Sequence, residues 1–259
     1  MFTGCEQQKE MRGRFSVSLG KQVKFAPGNL QYTQSTQTWS FAAEQYEFIG
    51  VANMTNYGLA DKIDLFDWST NTGETNWGVT LEDEADYKGG FLDWGQNIGD
   101  SATWRTLTKD EWGYLLDTRT NAASLKGVAR ILFGKGEYAN GLILLPDNWE
   151  APAGVTFKSG FASGWINLQA YAYYQTFTLA EWKKLEATGA VFLPASGGRS
   201  GSDVRGVQDC GNYWSATHDL RASAVLCFDS GGVNMDDNYH YCYGYAIRYA
   251  VRLVQDVTD

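Results

Sequence analysis

The sequence predicts an α+β fold in which two capped helices pack on antiparallel sheet and long loops cover the remainder. Three observations lead there: a helix-start motif that occurs twice, short apolar runs closed by Gly, Pro or Asn, and an abundance of strand- and turn-forming residues. The 259 residues hold 29 glycines, 10 tryptophans and 15 tyrosines, a composition of many turns and few long helices. That length suits one domain, and residues 15–259 read as that domain after a tail at 1–14.

In the first fifty residues, Val23-Lys-Phe25, Leu30-Gln-Tyr32 and Trp39-Ser-Phe41 read as strands, and Pro27-Gly-Asn29 supplies the turn chemistry of a hairpin. Residues 51–103 are punctuated by Asn-Thr-Gly, Gly-Gly and Asp-Trp-Gly. They should wrap the core as loops, anchored by burial of Trp68, Trp77 and Trp94. Thr106-Leu-Thr-Lys-Asp-Glu-Trp112 and Thr176-Phe-Thr-Leu-Ala-Glu-Trp182 share one pattern. Thr108 and Thr178 cap a helix, and Glu111 and Glu181, three residues on, reach back to the cap amide. Trp112, Leu115, Leu116, Trp182 and Leu185 then take core-facing positions, with Gly189 ending the second helix. Leu142-Ile-Leu-Leu145, Val191-Phe-Leu193, Tyr213-Trp-Ser215, Ala224 to Phe228 and Ala250 to Val254 are the remaining strands.

A net charge of −9 and the lack of a basic run argue against nucleic acid and anionic membranes as partners, since both are held by clustered Lys and Arg. No apolar run approaches the ~20 residues that span a bilayer. Only His218 and His240 could serve imidazole catalysis, and neither lies near a nucleophile motif. The chain therefore reads as a non-enzyme, with no catalytic residue assigned. His240-Tyr-Cys242 offers two zinc donors without a second pair. Asn234, Asp236, Asp237 and Asn238 concentrate oxygen atoms, yet they lack EF-hand spacing and read as a solvated turn. No metal or cofactor is expected. Cys210, Cys227 and Cys242 fit neither a C-x-x-C motif nor a disulfide framework. Near the start, Phe2-Thr-Gly-Cys5 resembles a bacterial lipobox, whose cysteine becomes lipidated. Either Met1 replaces a removed leader or the match is accidental, and lipidation of Cys5 is the one membrane attachment expected.

The last third departs in composition. Residues 1–186 contain 11 Lys and 12 Glu, whereas 187–259 contain neither, although the earlier density would place about nine there. Lys and Glu favour helices, which explains depletion in a region of strands, but Lys is common on exposed strands and edges. Within this region, Asn234 to Tyr249 is crowded with Tyr and short polar side chains. Tyr offers a large rigid contact area at little entropic cost, and Asn, Ser and Gly add adaptable hydrogen bonds, the composition of antibody paratopes. Tyr239, Tyr241, Tyr243, Tyr245 and Tyr249 are all odd-numbered, so an extended chain would place them on one face. Burying five phenols would require five hydrogen-bond partners, so display is the preferred reading.

Trp104-Arg-Thr-Leu-Thr-Lys-Asp-Glu-Trp112, Leu142-Ile-Leu-Leu-Pro-Asp147, Val191-Phe-Leu-Pro-Ala-Ser-Gly-Gly-Arg199, Gly211-Asn-Tyr-Trp-Ser-Ala-Thr217 and Val251-Arg-Leu-Val254 resemble, in that order, a set of Bacteroidetes proteins of C-type lectin-like fold. These are related to the formylglycine-generating-enzyme fold, and some are variable proteins of diversity-generating retroelements. The resemblance implies a fixed scaffold with a hypervariable C-terminal stretch at about 205–254, diversified by adenine-directed mutagenesis of pyrimidine-ending Asn-type codons. Such codons can yield Tyr, Asp, His, Ser, Cys, Gly or Arg, never Lys or Glu. By that rule Gln208, Trp214 and Met235 belong to the scaffold. The implied ligand-binding positions are Asn212, His218, Asp219, Leu220, Arg221, Cys227, Asp229, Asn234 and the run from Asn238 to Tyr249, interrupted at Gly244 and Ala246. In that run Asn238, Tyr239, His240, Tyr241, Tyr243, Tyr245 and Tyr249 are the candidates carried forward.

The expected function is ligand binding at the cell surface, as an outer-membrane lipoprotein, or on a phage particle, with an unknown protein or other macromolecule as ligand. A formylglycine-generating-type enzyme and a fixed adhesion or structural module are the alternatives. The paired cysteines of the former lie a few residues apart, whereas Cys210, Cys227 and Cys242 are widely spaced. The Glu-Pro-Asn, Gln-Pro-Asp and Trp-Asn-Asp motifs of calcium-dependent sugar-binding lectins are absent from the sequence.

Overall fold

Both helix starts form as the motif predicts. In the computed structural model, which describes residues 12–68, 91–99, 103–162, 170–218, 223–236 and 247–258, Thr108 and Thr178 each close a capping box. The Thr108 hydroxyl accepts the Glu111 amide at 3.2 Å, and the Glu111 carboxylate accepts the Thr108 amide at 3.0 Å. Helix Lys109–Gly113 then widens into a π turn over Tyr114–Thr118. Helix Leu179–Ala187 starts the same way and is ended by Gly189, whose φ of +92° suits glycine. Trp112, Leu115, Leu116, Trp182 and Leu185 are all buried, as their spacing requires. A third short helix, Ala170–Tyr174, was not anticipated.

The Glu111 cap does more than start a helix. Its carboxylate also takes Arg105 at 2.7 and 2.8 Å and Lys21 at 2.9 Å, while Arg105 reaches Asp256 at 2.7 Å. Helix start, first hairpin and C-terminal strand are thereby joined through one ion cluster. Burial pushes the Glu111 carboxyl up, but Arg105, the Thr108 amide and Lys21 outweigh it and hold it at about 2.

Among the described strands, pairing is antiparallel except at one edge. The largest sheet runs Thr176–Thr178, Lys126–Leu132, Tyr138–Leu144, Val191–Pro194, and its first pair is parallel, with the Ala170–Tyr174 helix preceding that edge strand. A second sheet joins Phe15–Ser18 and Lys21–Phe25 to Val254–Asp256, so the two ends of the domain lie side by side. A third pairs Leu30–Thr33 with Thr38–Phe41 and Lys62–Ile63. Pro27-Gly-Asn29 therefore does not close a hairpin; it carries the chain from one sheet to another. The hairpin turns lie instead at Leu19-Gly20 and at residues 34–37. The buried Asn29 has a packing role, donating to the Tyr213 hydroxyl at 3.1 Å and accepting from Arg252 Nε at 3.0 Å. The expected strand from Ala250 to Val254 is also only partly realised. Regular pairing begins at Val254, because Val251 and Leu253 give their carbonyls to the amides of Leu30 and Ala26 in the irregular crossing.

The loop-rich part folds onto the same core. Trp68 and Trp94 are buried in one cluster with Phe66, Trp214, Val225, Tyr249 and Val251, so the described parts of 51–103 wrap the domain as expected. Trp77 lies outside the described residues. A second cluster holds Phe15, Phe25, Trp112, Leu115, Tyr213, Leu226 and Phe228, and a third packs Trp182 and Leu185 against the outer face of the largest sheet.

Candidate functional site

Strands Cys210–His218, Ser223–Asp229 and Val233–Asp236 form one antiparallel sheet between the first two clusters. Its register brings together residues that the sequence keeps far apart. Asn212 lies opposite Cys227, and Cys227 lies opposite Asn234, making a row across all three strands. The adjoining row is Tyr213, Leu226 and Met235, which alternation turns to the other face. Tyr213 and Leu226 are buried there, with Met235 packed against the same cluster. Trp214 and Val225 share the face of Asn212 and Cys227 but sit deeper. The face thus grades from a buried Trp214–Val225 pair to half-buried Asn212 and Cys227 and exposed Asn234.

The residues expected to be scaffold are anchored. Gln208 imitates a strand with its side chain: Oε1 accepts the Asn140 amide at 2.7 Å and Nε2 donates to the Tyr138 carbonyl at 2.7 Å. Its φ of +69° turns the chain sharply at that anchor. Trp214 donates its indole N–H to the Phe66 carbonyl at 2.6 Å. Gly211 leaves room for a neighbour, since a Cβ there would lie 2.1 Å from the Phe228 ring.

The polar groups of the face are engaged locally. Asn212 Nδ2 lies 3.4 Å from the Gly197 carbonyl and 3.5 Å from Cys210 Sγ. Asp229, also on this face, accepts the amides of Gly231 and Gly232 at 2.7 and 3.1 Å and so closes the turn into the third strand. Burial pushes the Cys210 thiol up. Among the described residues, no group of three or more His, Cys, Asp or Glu is placed to hold a metal, and no helix is long and apolar enough to cross a membrane.

Tyr249 corrects the expectation of a displayed tyrosine. It is 1% exposed, its ring 4.7 Å from that of Trp214 in an edge-on arrangement. The cause is backbone pairing: Tyr249 and Phe66 exchange both amide–carbonyl hydrogen bonds, at 2.9 and 3.0 Å, and this draws the chain into the core. Arg248, in the same run, is likewise buried and ion-paired with Asp67. Of the other predicted positions, Cys5, Asp219, Leu220, Arg221, Asn238, Tyr239, His240, Tyr241, Tyr243 and Tyr245 lie outside the described residues, as does the side chain of His218. Sequence reading missed the hairpin around Asn56-Tyr57-Gly58, whose turn chemistry was the available signal.

The fold is of mixed α+β class, with few short helices and several small sheets. Comparison with protein-family models, curated proteins and solved structures finds no match.

Proposed function

We propose that the chain is a non-enzymatic binding protein that captures a macromolecular ligand on a diversified face carried by a C-type lectin-like scaffold. The observation that carries this reading is the row Asn212, Cys227, Asn234. Three positions named as variable, spread over 23 residues of sequence, share one register row on one face. Gln208, Trp214 and Met235, named as fixed, are tied into the body of the protein. The absence of Lys and Glu after residue 186 supports the same reading from composition. The raised Cys210 thiol is the reverse of what a nucleophilic cysteine needs, which weighs against the oxidase alternative. Display at a cell surface through lipid on Cys5, or on a phage particle, completes the proposal.

The gene sequence tests it. A near-identical template repeat that differs from the gene at the codons for Asn212, Cys227, Asn234 and Tyr239 to Tyr245, with a reverse transcriptase gene nearby, is expected. Lack of any template copy of this region near the gene would sink diversification. One observation favours a fixed adhesion module instead, the burial of Tyr249. Substitutions at Asn212 and Asn234 that unfold the protein would support that second reading.

A further inference from the structure

One small sheet has the order Thr38–Phe41, Leu30–Thr33, Lys62–Ile63, so Thr38–Phe41 is an edge strand. Its pairing fixes which backbone groups point outward. Ala42 donates its amide to the Asn29 carbonyl at 2.8 Å, whereas Leu30 donates to Val251 at 2.9 Å and Gln34 to Asp61 at 2.7 Å, both on the side away from Thr38–Phe41. Ladder bonds alternate along an antiparallel pair, so Gln31 and Thr33 bond to Ser40 and Thr38. The amides and carbonyls of Trp39 and Phe41 therefore point off the edge, and no described residue bonds to them.

Other edges carry guards against pairing with another chain, which charge or occupation of the edge provides. Ser16 in strand Phe15–Ser18 gives its amide to the Asp147 carboxylate at 2.8 Å, strand Asp203–Arg205 joins its two ends in an ion pair, and Val233–Asp236 ends in a carboxylate. Thr38–Phe41 has none of these, and from Phe25 to Ala43 the chain holds no Asp, Glu, Lys or Arg. Thr38 and Ser40 are exposed, while Trp39 and Phe41 lie half-buried on the other face. The Trp39 ring is 4.8 Å from Tyr32 and 5.3 Å from Phe66, and Phe41 is 4.9 Å from Trp104, so packed aromatic rings reach the open edge.

We infer that Thr38–Phe41 is a self-association edge, through which two copies of this chain join their three-stranded sheets into one. The edge is complementary to itself. With a second copy antiparallel about a twofold axis at Ser40, Trp39 faces Phe41 of the partner subunit, and each such pair exchanges two amide–carbonyl bonds, so every outward group of both edges is used. Ser40 meets Ser40 of the partner subunit on the solvent face, where both side chains are small, and the Trp39–Phe41 pairs carry the aromatic row across the boundary. A chain of net charge −9 repels its like, and the uncharged edge lets two copies meet without opposing charges at the contact. A strand pair of this length covers less than the ~800 Å² per partner of a standard interface, so the dimer is reversible, with a dissociation constant on the order of 100 μM. The inference goes beyond the proposed binding function and does not depend on it.

Sedimentation equilibrium of the full chain from about 10 μM to about 1 mM reads the association. A monomer–dimer equilibrium is expected. Ser40→Lys, at an exposed position, sets two ammonium groups opposite each other and weakens dimerisation about fivefold or more, with circular dichroism and melting temperature unchanged. Ser40→Cys gives a disulfide-linked dimer on exposure to oxidised glutathione, because directly opposed residues of a non-hydrogen-bonded pair lie about 4.5 Å apart at Cα, within disulfide reach. Thr38→Cys does not, its two copies being displaced about 13 Å along the strands. The parent chain, treated alike, sets the background from its own cysteines. A chain that stays monomeric over the whole range overturns the inference. So does a dimer that Ser40→Lys leaves intact, or one that links through Thr38→Cys as readily as through Ser40→Cys.

Discussion

Leu226 and Cys227 are neighbours in one strand and should respond to substitution in opposite ways. Leu226 is 0% exposed and packs with Tyr213 and Phe228, whereas Cys227 lies half-buried in the row between Asn212 and Asn234. Leu226→Ala leaves a cavity in a close-packed cluster, and losses of about 3–5 kcal/mol are usual for that change. At about 2–4 °C per kcal/mol for a domain near this size, the melting temperature should fall by roughly 6–20 °C. Cys227→Ser, at the half-buried margin of the Trp214–Val225 cluster, should cost only about 1 kcal/mol. Urea unfolding followed by tryptophan fluorescence, paired with thermal melts, reads both. A cost above about 2 kcal/mol at Cys227, or below about 1 kcal/mol at Leu226, would refute the assignment of faces on which the proposed binding function depends.

Other expectations follow from the same geometry. Gly211→Ala should destabilise by about 1–3 kcal/mol through overpacking against Phe228, and Phe228→Leu should recover part of that loss, so a double-mutant cycle must show coupling. Burial pushes the Asp64 carboxyl up to about 6 from its ordinary 3.8, so the native state binds the proton first. Its contribution is therefore full below about pH 4 and declines as pH rises to 6; Asp64→Asn should flatten that part of a stability–pH profile. Glu111 has the opposite sign, since its carboxyl is held at about 2: its contribution is present above about pH 4.5 and lost as pH falls toward 2. Glu111→Gln should remove that acid limb and lower the melting temperature, whereas Glu181→Gln, at the exposed second cap, should cost only about 1 kcal/mol or less.

Local rules made much of the scaffold legible in advance. A Thr with a Glu three residues on satisfies the orphan amides of a helix start in any context, so both capping boxes could be read from four residues each. The strand Val191–Pro194 and the second half of strand Tyr138–Leu144 declared themselves by the apolar runs Val191–Leu193 and Leu142–Leu145, each followed by proline. Composition likewise marked out the Lys- and Glu-free region after residue 186. Pro27-Gly-Asn29 misled because turn chemistry specifies a bend and not the strands it joins; the partners of Lys21–Phe25 and Leu30–Thr33 come from elsewhere in the chain.

The sequence by itself determined the helix starts, most of the core strands and the residues with the composition of a binding surface. Only the tertiary structure decided which of those residues share a face. Strand register is set by long-range burial, and that burial aligned Asn212, Cys227 and Asn234 while sending Tyr213, Leu226 and Met235 to the other side. The same long-range pairing, Tyr249 with Phe66, took the last tyrosine of the run into the core against Trp214, a fate that no periodicity within Asn234 to Tyr249 could reveal.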